Sequence, residues 1–182
     1  LPNNFGFTTD GDFSVSGRVE IDSFGGDDVV VDWRGNTWLI VFAKDTGVEV
    51  KIKVGGSGNT ILQSEALSTG IVYDFSVVRD ADVGWELWVD GSQVDTSSNT
   101  GTLDSANEDS VYFATGDGND GMDGKGDEMV VHKSDLSSDQ VKRIHNRTDP
   151  AEMTSQSDLE SGTWSSVLEN FSSPQQVDSF SS

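Results

Sequence analysis

The chain has 182 residues, with 32 acidic and 11 basic side chains, a formal net charge of -21 and no cysteine. A domain of this size buries roughly 70% of its unfolded surface and closes one substantial core. The lack of cysteine excludes disulfides and thiolate metal sites, and the acidic surface excludes nucleic acid as an expected partner. The longest apolar run, residues 38–43, is far shorter than the roughly 20 residues that span a bilayer, so we expect no membrane insertion.

The acidic excess is spread along the chain and is not confined to a tail. At molar salt the Debye length falls to about 3 Å, so the self-repulsion of such a surface largely disappears. We therefore expect a protein of an extremely halophilic system, and the alternative is an acidic extracellular protein from ordinary surroundings. The chain begins at Leu1 rather than Met, which we interpret as a sign of processing from a longer precursor.

Alternating apolar and polar residues predict strands along most of the chain. In the first of them, Phe13, Val15, Val19 and Ile21 alternate with polar residues and place the apolar side chains on one face. Further strands are predicted at 29–33, 37–44, 48–54, 71–79, 85–89, 111–115 and 128–132. Turn-forming residues separate them, among them those at 34–36, 45–47, 55–59 and 90–91. This pattern predicts an all-β fold with two antiparallel sheets packed as a β-sandwich.

One short helix is predicted near residues 138–146. Ser137 stands at its N-cap and Gln140 follows three residues later, which is the capping-box pattern. Val141 and Ile144 share one face of this helix, so we expect it to pack at the edge of the sandwich.

The composition changes after Arg147 to Ser, Thr, Gln and acidic residues, with no further Lys or Arg. We therefore divide the chain into a sandwich domain, 1–147, and a C-terminal extension, 148–182. The extension contains four residues with the i, i+3, i+4, i+7 spacing of an amphipathic helix: Trp164, Val167, Leu168 and Phe171. We predict that this segment docks onto the sandwich or serves attachment to another subunit.

Three segments carry a family likeness, in a fixed order along the chain. Residues 85–91 read WELWVDG, residues 111–116 form a predicted strand before a Gly- and Asp-rich segment, and residues 126–132 read GDEMVVH before the capped helix. Together they resemble the laminin-G-like, concanavalin A-like jelly-roll family, and the likeness extends over residues 5–146. The resemblance implies two antiparallel sheets packed face to face. It does not imply one function, because such sandwiches serve as enzymes, lectins, adhesins and structural parts.

Glu20 and Asp22 look like the start of the Glu-x-Asp motif of the family's glycoside hydrolases. Retaining hydrolysis needs a second carboxylate about 5–5.5 Å from the first. The positions that would complete the motif hold Phe24 and Gly25, and neither residue can transfer a proton. We therefore predict that the protein is not an enzyme, and a glycoside hydrolase is the third hypothesis.

The two histidines, His132 and His145, are predicted to be structural. No nucleophile motif lies near either of them in the sequence. His145 falls in the last turn of the predicted helix, where it would complement the negative end of the helix dipole.

Residues 117–128 form an acidic, glycine-rich segment that we predict to be a loop. An EF-hand is excluded, because Gly121 stands where a ligand is expected and Met122 stands where glycine is required. The alternatives are a solvated acidic loop and a noncanonical calcium site, and no cofactor is required. The candidate calcium ligands are Asp117, Asp120, Asp123 and Asp127.

Sugar binding would use aromatic rings that stack on the apolar faces of the sugar. The candidates are Trp88, Trp33, Trp38 and Tyr73. Trp88 alternates with Leu87 and Val89 and should therefore face the opposite side of its sheet. The alternative interpretation is that most of these rings fill the core.

The leading functional hypothesis is a non-enzymatic structural or adhesion module of a virion surface, fibre or appendage in a halophilic system. It would act through assembly with other protein subunits, as a homo-oligomer or larger surface assembly, or through attachment to a host surface. The alternative is a lectin-like carbohydrate-binding module that recognises a host glycan, with or without calcium. Both hypotheses predict an extracellular location on a virion or cell surface, and glycosylation triplets at Asn146 and Asn170 agree with it.

Overall fold

The computed structural model describes residues 11–25, 28–34, 38–54, 57–103, 112–113 and 121–146. The description covers the backbone alone at Arg34, Trp38, Ser57, Tyr112 and Phe113. The predicted C-terminal extension, with its apolar segment from Trp164 to Phe171, lies outside the described residues. Within the described ranges, no helix is long and apolar enough to cross a membrane.

The described residues form ten strands and one helix. In chain order they are β1 (Phe13–Ser23), β2 (Asp28–Arg34), β3 (Trp38–Lys44), β4 (Gly47–Val54), β5 (Ser57–Gln63), β6 (Val72–Asp80), β7 (Gly84–Val89), β8 (Ser92–Ser97), β9 (Tyr112–Phe113), β10 (Asp123–His132) and α1 (Ser138–His145). Sheet A has the strand order β10-β1-β6-β7-β8, and sheet B has the order β5-β4-β3-β2-β9. Every pairing of neighbouring strands is antiparallel, so the predicted two-sheet sandwich is confirmed.

The main core consists of the apolar side chains that the strand alternation turns inward. Val15 and Leu87 of sheet A belong to the same buried cluster as Val41 and Val50 of sheet B, and each of them is 0% exposed. Burial of such aliphatic side chains stabilises a fold by roughly 1.5–3 kcal/mol each, so this layer holds the two sheets together.

Helix α1 packs against the outer side of sheet A. Leu136 and Val141 form a second buried cluster with Val78 of β6 and Trp88 of β7. The predicted capping box is confirmed, because the Ser137 side chain accepts a hydrogen bond from the backbone of Gln140 and the Gln140 side chain accepts one from the backbone of Ser137. The helix therefore covers part of one outer surface of the sandwich.

Strands β5 and β8 were not predicted, and the segment 55–59 was wrongly predicted to be entirely a turn, since β5 begins at Ser57. Both are edge strands of their sheets. An edge strand with few inward-facing apolar residues shows weak alternation, and its strand geometry is imposed by the hydrogen bonds of its neighbour. Similarly, the predicted loop 117–128 is strand from Asp123 onward, because β10 pairs with β1 over that stretch.

Candidate functional site

Trp88 is 6% exposed and lies beneath helix α1, on the outer side of sheet A. Leu87 belongs to the main core between the sheets, so Trp88 faces the opposite side as the alternation predicts. The indole Nε1 donates a hydrogen bond of 2.9 Å to Oε2 of Glu86. A sugar could stack on this ring only if the helix moved away. In the described conformation, Trp88 is therefore a buried packing residue.

The other aromatic residues predicted to stack on a sugar are Trp33, Tyr73 and Trp38. Trp33 is half-buried against the main core, with its ring edge-on to Phe13 at a centroid distance of 5.6 Å. Tyr73 is also half-buried against this core, and its hydroxyl accepts a hydrogen bond of 3.0 Å from the backbone N–H of Ser68. At Trp38 the structure describes the backbone, which pairs with Lys53 of β4. Of the three described rings, Trp88 is buried, while Trp33 and Tyr73 are partly buried against the main core.

Two of the predicted calcium ligands, Asp123 and Asp127, lie on β10. Both side chains are exposed, four residues apart in the sequence. The Asp123 carboxylate accepts a hydrogen bond from the hydroxyl of Ser23. Asp117 and Asp120 lie outside the described residues, so a calcium site built around them stays a prediction.

Both histidines have structural partners, as predicted. His132 Nε2 lies 3.1 Å from the hydroxyl oxygen of Ser16, which is 1% exposed and so has no access to a substrate. His145 Nδ1 lies 2.8 Å from Oδ2 of Asp74, which links the end of helix α1 to β6.

Asp74, Asp90 and His145 form a cluster that the sequence analysis missed. Their potential metal-ligating atoms all lie within 4.8 Å of one another. The Asp74 carboxylate, however, already accepts hydrogen bonds from the Arg18 guanidinium, with Nε at 2.9 Å. The hydrogen bond to Asp74 raises the pKa of Arg18 against the opposing effect of desolvation. The cluster therefore serves to fasten α1 and the β7–β8 turn to sheet A.

The two acidic residues of the hydrolase-like motif, Glu20 and Asp22, both lie near Lys125. Glu20 lies on the outer side of β1 and accepts a hydrogen bond of 3.1 Å from Nζ of Lys125. Asp22 is exposed two residues later, and Phe24 packs against the main core. Glu20 is therefore ion-paired with Lys125 in the described conformation.

A polar site lies on the outer side of sheet B. On β4, buried residues of the main core alternate with charged residues that point outward: Glu49, Lys51 and Lys53. Phe42 and Lys44 point to the same side from β3, and Thr60 does so from β5. We call the surface formed by Phe42, Lys44, Glu49, Lys51, Lys53 and Thr60 the lysine face.

Glu49 lies at the centre of the lysine face. Its Oε2 is 2.9 Å from Nζ of Lys44, and its Oε1 is 3.4 Å from Nζ of Lys51 and accepts a hydrogen bond from the hydroxyl of Thr60. The two ammonium groups also lie 4.7 Å and 4.8 Å from the centroid of the Phe42 ring. The ring and the carboxylate thus hold both lysines in place, and the lysine stems cover the ring.

Partial burial raises the pKa of Glu49, but the hydrogen bonds from Thr60 and Lys44 and the charges of Lys44 and Lys51 outweigh it. The pKa of Glu49 is therefore lower than its ordinary value, and the carboxylate stays ionised in mildly acidic solution. Chemically, the lysine face is a set of ammonium and hydroxyl groups held in place around one carboxylate.

The lowered pKa of Glu49 predicts a specific loss of stability in acid. A carboxylate with a lowered folded-state pKa stabilises the fold above its unfolded-state pKa, and this contribution disappears as the pH falls through the folded-state value. At pH 7 we expect Glu49→Gln to lower the free energy of unfolding by about 1–2 kcal/mol. At pH 3 the difference between the two proteins should shrink, as measured by urea unfolding at constant salt.

The matched control for this experiment is Glu65→Gln, which alters an exposed carboxylate beyond β5. It should change the unfolding free energy by less than about 0.5 kcal/mol at either pH. A constant difference between Glu49→Gln and the unaltered protein from pH 7 to pH 3 would contradict the electrostatic role of Glu49.

The two antiparallel sheets and the short capped helix define a jelly-roll type of β-sandwich domain. The family model of the concanavalin A-like lectin/glucanases superfamily matches residues 1–142, and the chain belongs to this family. The family resemblance seen in the sequence is therefore confirmed. No curated protein sequence matches the chain significantly.

Several solved structures are similar in fold. Domain 4 of an extracellular GH43 arabinanase from Geobacillus stearothermophilus, in complex with arabinotriose, has a TM-score of 0.67 at 15% identity, over 80% of this chain and 70% of that one. The binding domain of Paraclostridial Mosquitocidal Protein 1 has a TM-score of 0.64 at 17% identity, over 78% of this chain but 38% of that one. A heptameric SAP-like pentraxin from Limulus polyphemus has a TM-score of 0.58 at 17% identity, over 74% and 69% of the two chains.

Proposed function

We propose that this protein is a non-enzymatic extracellular module that attaches to a carbohydrate-bearing surface. The observation that carries the proposal is the lysine face, where ammonium groups and the exposed Thr60 of β5 lie side by side on a rigid sheet. Such groups hydrogen-bond the hydroxyls of sugars without needing to change conformation. The outer side of sheet A carries helix α1. On the outer side of sheet B, Val29 and Ile40 form a third buried cluster with Phe42 of the lysine face.

Two further observations support a binding role. The arabinanase domain that shares the fold is named in complex with arabinotriose, and the mosquitocidal domain is named as a binding domain. Glu20, the first residue of the hydrolase-like motif, is paired with Lys125, and Phe24 is directed to the core. We therefore infer that this sandwich binds a glycan and does not hydrolyse it.

The wider setting that we propose is a virion or cell surface in a salt-rich medium, where the module serves adhesion and assembles with other protein subunits. The net charge of -21 supports the salt-rich setting, because a surface of that charge density loses its self-repulsion when salt screens it. Calcium, with ligands among residues 117–128, remains part of the carbohydrate-binding alternative.

The proposed function is tested by a glycan array followed by titration calorimetry at a salt concentration that gives a native circular dichroism spectrum. We expect binding to at least one surface glycan and no release of reducing sugar from it. Repeating the titration with millimolar calcium at constant ionic strength tests the calcium alternative. A folded protein that binds no glycan would contradict the proposal, and so would hydrolysis that is abolished by Glu20→Gln.

A further inference from the structure

The positive charges of this acidic protein are unevenly distributed. Three of its six lysines, Lys44, Lys51 and Lys53, fall within ten successive residues of the chain. The pairing of β3 with β4 and the strand alternation bring all three to the lysine face. The sequence as a whole has about three acidic residues for each basic one, so this is a local reversal of the protein's charge.

On β3, β4 and β5, Glu49 is the acidic residue that points outward on this side, where the three lysines also lie. Next to them, β2 carries Asp32, which is 0% exposed and therefore screened from a ligand in solvent. Lys51 retains 32% side-chain exposure and Thr60 is exposed, so the part of the lysine face on β4 and β5 is open to a ligand.

The lysine face already binds one carboxylate. Two ammonium groups and one hydroxyl converge on Glu49 and lower its pKa despite its partial burial. The same groups have further hydrogen-bonding capacity, because each ammonium group carries three N–H donors. Lys51 and Lys53 stand two residues apart on β4, so their Cα atoms are roughly 6.6 Å apart along the strand. The donors therefore form a strip that suits a chain of repeated acidic groups.

We propose that the lysine face binds a polysaccharide that carries carboxylate groups, in other words a uronate-containing glycan. This inference rests on the proposed function and specifies its ligand class. A protein partner fits less well, because the exposed large apolar side chains among the described residues lie elsewhere, for example Ile71 and Val72 before and in β6, and Val94 in β8. Double-stranded DNA, with a charge every 1.7 Å or so, would be repelled by the rest of the acidic surface more strongly than a polymer that carries at most one charge per sugar.

The test compares four probes by titration calorimetry at the lowest salt concentration that preserves the native circular dichroism spectrum. They are polygalacturonate, dextran sulfate, neutral dextran and double-stranded DNA. We expect polygalacturonate to bind most tightly and its affinity to fall as salt is added, since exposed charge contacts are screened. The double variant Lys51→Gln, Lys53→Gln should weaken this binding by about tenfold, in line with two partly exposed charge contacts.

Matched variants separate the site from the overall charge. Lys125→Gln removes one positive charge from β10 of the other sheet and should leave polygalacturonate binding unchanged, whereas Lys53→Gln alone should weaken it. The variant Lys51→Arg, Lys53→Arg retains the charge and should retain most of the affinity. If the double variant fails to fold because the Lys51 side chain no longer covers Phe42, the single variant Lys53→Gln provides the test.

Several results would overturn the inference. They are binding of dextran sulfate or DNA as tight as that of polygalacturonate, equal effects of Lys125→Gln and Lys53→Gln, or no binding of polygalacturonate by a folded protein. If the glycan array is positive for neutral glycans in that last case, the ligand class is wrong while the proposed function stands. If the array is negative as well, both proposals fail.

Discussion

Replacing Trp88 with alanine is expected to lower the free energy of unfolding by about 3–5 kcal/mol, the usual range for truncation of a buried large aromatic residue. The physical reason is its position under helix α1, where its ring packs with Val78, Leu136 and Val141. At the same time, glycan binding by the folded protein should be unchanged, because the ring is 6% exposed. Urea unfolding and the calorimetric titration measure the two effects separately.

The matched control for this prediction is Val83→Ala. Val83 lies in the turn between β6 and β7 and is 70% exposed, so its truncation should change the stability by less than about 0.5 kcal/mol. The opposite pattern, in which Trp88→Ala leaves the stability intact and abolishes glycan binding, would show that Trp88 is a ligand platform and that the packing argument is wrong.

Replacing Gly84 with alanine is expected to lower the free energy of unfolding by about 3–5 kcal/mol, because backbone strain and a steric clash act together. Gly84 starts β7 with a φ of +135°, where a side chain is strained. An added Cβ would lie 2.0 Å from the backbone oxygen of Ser97, at the end of the paired strand β8. The clash therefore separates two strands of sheet A, and urea unfolding at constant salt measures the cost.

Gly70→Ala is the control that isolates the backbone strain. Gly70 has a φ of +71°, but no atom lies within 4 Å of the position that a Cβ would take. This variant should therefore lose about 1–2 kcal/mol, the cost of a left-handed conformation alone. Equal losses for the two glycine variants would contradict the proposed clash with Ser97.

Most of the fold could be predicted from local patterns. In strands such as β1 and β4, apolar residues recur mostly at every second position, and this alternation reveals the strand. Only the structure shows that Ser14 and Ser16, on the other side of β1, are buried as well. The capping box of α1 is also local, because its two hydrogen bonds join residues three apart. Strands β5 and β8 were missed because they are sheet edges, where pairing with β4 and β7 decides the geometry.

The candidate site was harder to predict, because its residues are brought together by strand pairing. Glu49, Lys51 and Lys53 alternate with buried aliphatic residues, which was a signal that they share one outward face. No pattern among neighbouring residues indicated that the Lys44 side chain contacts Glu49, or that the Phe42 ring lies beside the ammonium groups of Lys44 and Lys51. Exposed aromatic rings were the predicted sugar contacts, but at Trp88 the packing of α1 buries the ring.

The sequence by itself determined the two-layer architecture, the family, the capped helix and the acidic character of the surface. Alternation and capping depend on residues close together in the chain, and the net charge is a count of acidic and basic residues. Tertiary structure alone decided which side of each sheet is available to a ligand and which charges lie together. Those properties depend on the register between strands and on where α1 docks, and residues far apart in the chain set both.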